Sequence, residues 1–163
     1  MRRVLLVVGL FAGGSTWGAE VMPRGSLCEK VLAAVGASPQ ETTQRLGKPR
    51  SRKMVRAENP HLPEAEDTLT TLTYPGGRVL FAYLDYPDRY VLLEATLPVQ
   101  QFNAELRGIV PETFEEVLAR WGAPDDQSVN RLRYHCSVEG LEWIDLQWKA
   151  GRITEFSFTG YID

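Results

Sequence analysis

Catalysis by side chains needs a nucleophile with a base and an orienting group, or a set of metal ligands. The chain of 163 residues holds only two histidines and two cysteines. His135 and Cys136 are adjacent in a segment that alternates like a strand, which sends neighbouring side chains to opposite faces and prevents them from acting as a dyad. His61 falls in Asn59-Pro60-His61-Leu62-Pro63, a loop. No HExxH, paired CxxC, GxSxG or phosphate-binding glycine loop occurs. The carboxylate pairs Glu115-Glu116 and Asp125-Asp126 stand at a helix start and a turn, where acidic side chains have local roles. Residues 124–128 do not continue as a calcium loop. The expectation is a non-catalytic protein with no cofactor and no metal site; the alternative is a periplasmic hydrolase or small-ligand-binding protein with a cleft between its halves.

Arg2 and Arg3 precede an apolar run from Val4 to Ala12 and then Gly13, Gly14, Ser15 and Thr16, the pattern of a secretory signal over residues 1–19. The run is well short of the ~20 apolar residues of a spanning helix, so no transmembrane segment is expected in the mature chain. The expected location is periplasmic or secreted. Losing the leader would remove two of the 18 basic residues and none of the 21 acidic ones, taking the net charge from −3 to about −5. That balance argues against a nucleic-acid partner, which needs a basic face, and a partner selected by overall charge would be basic. In an oxidising compartment Cys28 and Cys136 are expected to form a disulfide, the alternative being two separate buried thiols. Closing so long a loop would contribute roughly 4 kcal/mol.

The elements that must position these residues are marked by helix starts and stops. In residues 108–124, Pro111 opens a helix, Phe114, Val117, Leu118 and Trp121 form one apolar stripe, Gly122 stops it and Pro124 forbids continuation. An earlier copy runs from the cap Ser38 and Pro39 to Leu46-Gly47-Lys48-Pro49. The two lie 75 residues apart. Ahead of the first, Ser26 caps a helix carrying Leu27, Val31, Leu32 and Val35, so the two helices make a hairpin. Met54 and Val55 are read as a short strand, and residues 57–66 as an exposed loop.

Each half then carries strand signals. In the first half these are residues 68–74, 78–84 and 90–97; in the second, 131–138, 141–148 and 152–159. The expected fold is α+β: tandem modules over residues 20–98 and 99–163, each a helix hairpin plus a three-strand antiparallel meander, joined into one sheet with helices on one face. Alternation with Leu80, Ala82 and Leu84 inward puts Phe81 and Tyr83 on the open face, with Tyr90 beside them if Val91 is inward. In the second half it puts Arg133, His135, Trp143 and Asp145 there. Surface aromatics flanked by charges are what binding hot spots are made of. These seven are the candidate partner-binding residues, for a protein partner whose identity and stoichiometry the residues leave open.

Helices closed by Leu-Gly-x-Pro or Trp-Gly-x-Pro and followed by a three-strand meander, behind a signal peptide, resemble the SmpA/OmlA (BamE) family of outer-membrane assembly lipoproteins. The tandem doubling is similar to the β-lactamase inhibitory protein fold, whose sheet face binds an enzyme. No lipidated cysteine follows the signal here, and one cysteine pair would span both modules rather than one pair lying in each. The resemblance implies a non-catalytic protein that presents a sheet face to another protein, as an envelope assembly factor or an enzyme or toxin inhibitor.

Overall fold

The computed structural model describes residues 21–59, 64–85, 88–137 and 139–160. The expected signal segment, His61 and most of the tip of the 57–66 loop lie outside them. Two helices, α1 (Arg24–Val35) and α2 (Pro39–Leu46), precede four strands, β1 (Ser51–Glu58), β2 (Glu66–Tyr74), β3 (Gly77–Leu84) and β4 (Arg89–Pro98). A 3-10 turn (Val99–Gln101) leads to α3 (Ala104–Ile109) and α4 (Phe114–Trp121). Then come β5 (Asp126–Ser128), β6 (Arg131–His135), β7 (Trp143–Lys149) and β8 (Arg152–Thr159). The strands form one antiparallel sheet in the order β1-β2-β3-β4-β8-β7-β6-β5, so the last strands of the two halves pair with each other. The fold class is α+β. Among the described residues each half has four strands rather than the expected three, because residues 51–58 pair along their whole length with β2 and residues 126–128 pair with β6.

The eight-residue helices α2 and α4 end alike. Gly47 and Gly122 take φ of 86° and 78°, a left-handed conformation that glycine adopts without steric cost. Their starts correspond too, although not where Pro111 suggested. Ser38 Oγ accepts from the Glu41 amide and Thr113 Oγ1 from the Glu116 amide, both at 3.2 Å, while the Glu116 carboxylate reaches back to the Thr113 amide. Thr113 is therefore the cap of α4 and Pro111 lies ahead of the helix rather than in its first turn; the overlooked signal is the Thr-x-x-Glu capping box. A tyrosine from the second strand of each half closes these helix ends. Tyr74 donates to the Gly47 carbonyl at 3.2 Å and Tyr134 to that of Gly122 at 3.1 Å.

Leu27, Val31 and Val35 of α1, Leu106 of α3 and Val117 and Trp121 of α4 pack in one cluster with Leu72, Val79, Phe81, Ala95, Leu97, Leu132, Tyr134, Ile144, Leu146, Phe156 and Phe158. Because these strand residues alternate along their strands, the helices lie on one side of the sheet. The helix α1 begins at Arg24, earlier than a Ser26 cap would place it. The reason is long-range: the Arg24 guanidinium donates to the carbonyls of Trp121 and Ala123 at the end of α4 and lies 4.4 Å over the Tyr134 ring. It thereby satisfies carbonyls that a helix C-terminus leaves without partners.

Cys28 and Cys136 form a disulfide, with Cα atoms 5.6 Å apart, that ties α1 to the end of β6. Bridging 108 positions, it is expected to contribute about 4 to 5 kcal/mol, chiefly by restricting the unfolded chain. Replacing both cysteines with serine should lower the unfolding free energy by about that amount in urea titrations. Burial, the dominant cause, raises the Tyr134 phenol pKa from 10.0 to about 12. The folded state therefore keeps a proton that the unfolded chain releases first. Its stabilising effect is complete below pH 10 and is lost as pH rises towards about 12. Urea midpoints measured across that range should fall, and Tyr134→Phe should flatten this part of the decline.

Candidate interaction face of the sheet

Leu132 and Tyr134 on β6 and Ile144 and Leu146 on β7 point into the core, so Arg131, Arg133, His135, Trp143 and Asp145 point to the side that the helices leave uncovered. Arg133 and Asp145 are cross-strand partners, joined by two parallel hydrogen bonds of 2.8 Å from Nε and an Nη to the two carboxylate oxygens. The guanidinium also stacks 4.6 Å from the Trp143 ring centre. The bond to Asp145 is the main reason its pKa is raised further above the ordinary arginine value. Beside them, Arg131 pairs with Asp126 at 3.0 Å and lies 3.9 Å from Asp145. His135 is held through its backbone amide, which donates to Asp125 at 2.8 Å.

The first half contributes differently from what alternation suggested. Phe81 is fully buried in the helix-side core, and Tyr83 and Tyr90 lie on that same side: Tyr90 stacks edge-on to Phe81 with ring centres 6.3 Å apart and meets Tyr83 at 5.1 Å. None of the three is on the open face. Two pairings set this phase. The tight turn at Pro75-Gly76 pairs Leu72 with Val79 and Thr70 with Phe81, so an inward Leu72 requires inward Val79 and Phe81. A bulge then shifts register between β3 and β4, pairing Leu80 with Glu94 but Phe81 with Leu92. Beyond it Leu92 and Tyr90, not Leu93 and Val91, share the face of Ala95 and Leu97. Tyr83 donates to the Asp88 carboxylate, and that bond raises its pKa.

What the open face has instead is a polar row crossing every strand. In pairing order it runs Ser51, Thr73, Arg78, Thr96, Ser157, Asp145, Arg133, Asp126. Beside it run Thr71, Leu80, Glu94, Thr159, Trp143 and His135. Arg78 mirrors Arg133 in chemistry, with two hydrogen bonds of 2.9 Å to Glu94. Arg78 and Thr96 escape sequence reasoning because only the β4–β8 pairing brings them into line with Ser157 and Asp145, and the same pairing sets Glu94 beside Thr159.

Among the described residues no group of three or more His, Cys, Asp or Glu side chains is placed to hold a metal ion. A recess within the second half, lined by Phe102, Arg107, Val110, Glu112, Arg152 and Ile153, has a volume of about 160 Å³. Arg152 and Glu112 close on each other there at 2.8 Å. Among the described residues no helix is long and apolar enough to cross a membrane. Comparison of the chain with protein-family models, curated proteins and solved structures finds no match.

The Arg133–Asp145 bond is sheltered, with side chains 24% and 12% exposed, and should couple measurably. A double-mutant cycle of Arg133→Ala and Asp145→Ala on urea stability is expected to give a coupling of about 1 kcal/mol, against a few tenths for Arg152 with Glu112, both 69% exposed.

Proposed function

We propose that the chain is an exported, non-catalytic binding protein, a tandem repeat of one helix-plus-sheet module, that presents the open face of its sheet to a protein partner as an assembly factor or inhibitor. The observation that carries this reading is the continuous row of hydroxyl and charged side chains from Ser51 to Asp126, with Trp143 and its stacked Arg133 beside it. Eight strands at ~4.8 Å spacing, averaging about seven residues but narrowing at β5 and β6, make a face of roughly 34 by 23 Å at most, close to the ~800 Å² that one partner contributes to a standard interface. Trp and Arg are the side chains enriched at hot spots, and the hydroxyls and paired charges around them suit the polar rim of an interface that forms and dissociates.

The disulfide is compatible with an extracytoplasmic location and agrees with the signal read in residues 1–19. The similarity of the helix ends to the outer-membrane assembly lipoproteins, and of the doubling to the β-lactamase inhibitory protein fold, supports the same class of role. A ligand or hydrolase site is less well supported. The recess beside Arg152 holds only about 160 Å³, and the wider ones, about 350 Å³ beside α1 and α2 and about 510 Å³ on the open face, are shallow; the linings of all three include neither cysteine nor histidine.

Crosslinking through a photoreactive residue at Thr96, in the native host, should trap one predominant envelope protein. Trp143→Ala should reduce that capture about tenfold or more while far-UV circular dichroism and the thermal midpoint stay near those of the parent. Undiminished capture by Trp143→Ala and by Ser157→Arg would move the interface off this face.

A further inference from the structure

The strand β1 ends the sheet: it pairs with β2 along all eight of its residues, and among the described residues no strand lies on its other side. Such an edge offers a row of backbone donors and acceptors to any extended chain, and natural proteins usually shorten, cover or break it. Here it is long and straight in register, and Met54 and Val55 in its middle are 55% and 41% exposed, lining a shallow recess with Arg56 and Thr68. Its charge is also out of keeping with an acidic chain. Lys48, Arg50, Arg52, Lys53 and Arg56 cluster here in a protein of net charge −3. Of these five cations Arg56 alone is ion-paired with a described residue, in an exposed contact with Glu66 at 3.4 Å.

We propose that β1 is a docking edge for an acidic extended peptide, which adds to the sheet as a further antiparallel strand. Pairing with β2 assigns the sides: Arg52, Met54 and Arg56 stand opposite Leu72, Thr70 and Thr68 on the helix side, and Lys53 and Val55 stand opposite Thr71 and Leu69 on the open side. A directly opposed residue on an added strand shares the side of its partner. The matching segment therefore reads acidic, apolar, apolar, acidic, acidic against Arg56, Val55, Met54, Lys53 and Arg52. A second copy of this chain fits poorly, because pairing β1 with itself about Met54 and Val55 sets Lys53 against Arg56, and like charges directly opposite repel. The cations that block self-association are thus the ones that select an acidic strand. This edge lies at the opposite end of the sheet from β7 and Trp143, meets the polar row only at its first residue, Ser51, and does not depend on the function proposed for that row.

The test uses the disulfide-intact chain and a synthetic peptide of about eight residues carrying the acidic, apolar, apolar, acidic, acidic order. Controls are a peptide of the same composition with the acids placed over Met54 and Val55, and inorganic polyphosphate. Expected results are saturable binding that weakens with salt, slowed amide exchange in residues 51–58, and affinity reduced about tenfold by R52E with K53E but unchanged by Trp143→Ala. Near-UV circular dichroism of R52E/K53E verifies that these exposed changes leave the fold intact. Equal binding of the rearranged peptide or of polyphosphate would reduce the edge to a general anion-attracting patch and overturn the proposal. So would protection appearing elsewhere than β1, or no binding.

Discussion

The pairing of β4 with β8 is the constraint on which the rest of the structure depends. Five consecutive residue pairs, from Glu94 with Thr159 to Pro98 with Glu155, join two four-stranded halves that would each have too little area to bury an independent core. Through this seam Ala95 and Leu97 meet Phe156 and Phe158, and the apolar faces of α1, α3 and α4 are covered by one shared cluster. On the opposite side the same pairs put Thr96 beside Ser157 and Glu94 beside Thr159, which makes the polar row continuous. Core and proposed interaction face are two consequences of one register, since shifting it by one residue would exchange them.

Around that seam the halves are fastened by contacts with large separation in sequence. The Cys28–Cys136 bridge and the Arg24 guanidinium both connect α1 to the second half, one at the end of β6 and the other at the last carbonyls of α4. Met22 adds a backbone bond to the Arg120 carbonyl at 3.0 Å. The first helix therefore serves the second half as much as its own. The two helix ends are not equally supported by apolar burial either. Position 117 of α4 is a buried valine, whereas the corresponding position of α2 is Thr42, buried with no hydrogen-bond partner for its hydroxyl among the described residues. Arg45 of α2 pairs with Glu105 of α3, in the second half.

Legibility in the sequence differed between the halves for a physical reason. Residues 131–135 and 143–147 alternate apolar with polar, so only one phase buries the apolar set, and Arg133, His135, Trp143 and Asp145 fall on the open face. Residues 78–84 are apolar on both phases: Val79, Phe81 and Tyr83 compete with Leu80, Ala82 and Leu84, and nothing local chooses between them. The choice is made across the hairpin by Leu72, and the bulge at Leu93 reverses the phase again in β4. In the same way, β1 is polar on most of its length and carries almost no periodic signal. It is a strand because β2 offers it a partner.

By itself the sequence determined what is local: the positions of the glycine stops at 47 and 122, the cap at Ser38, the hairpin turns, and the small set of reactive side chains. These follow from backbone sterics and short-range hydrogen bonding, which neighbours in the chain are enough to decide. It also bounded the disulfide, since two cysteines allow a single intrachain bridge. Tertiary structure decided the side of each doubly apolar strand, the alignment of Arg78, Thr96 and Ser157 with Asp145, and the exposure of β1 as a free edge. Those properties belong to pairs of strands rather than to either one, and a pairing register is fixed only when both sides of the sheet have been filled or left open together.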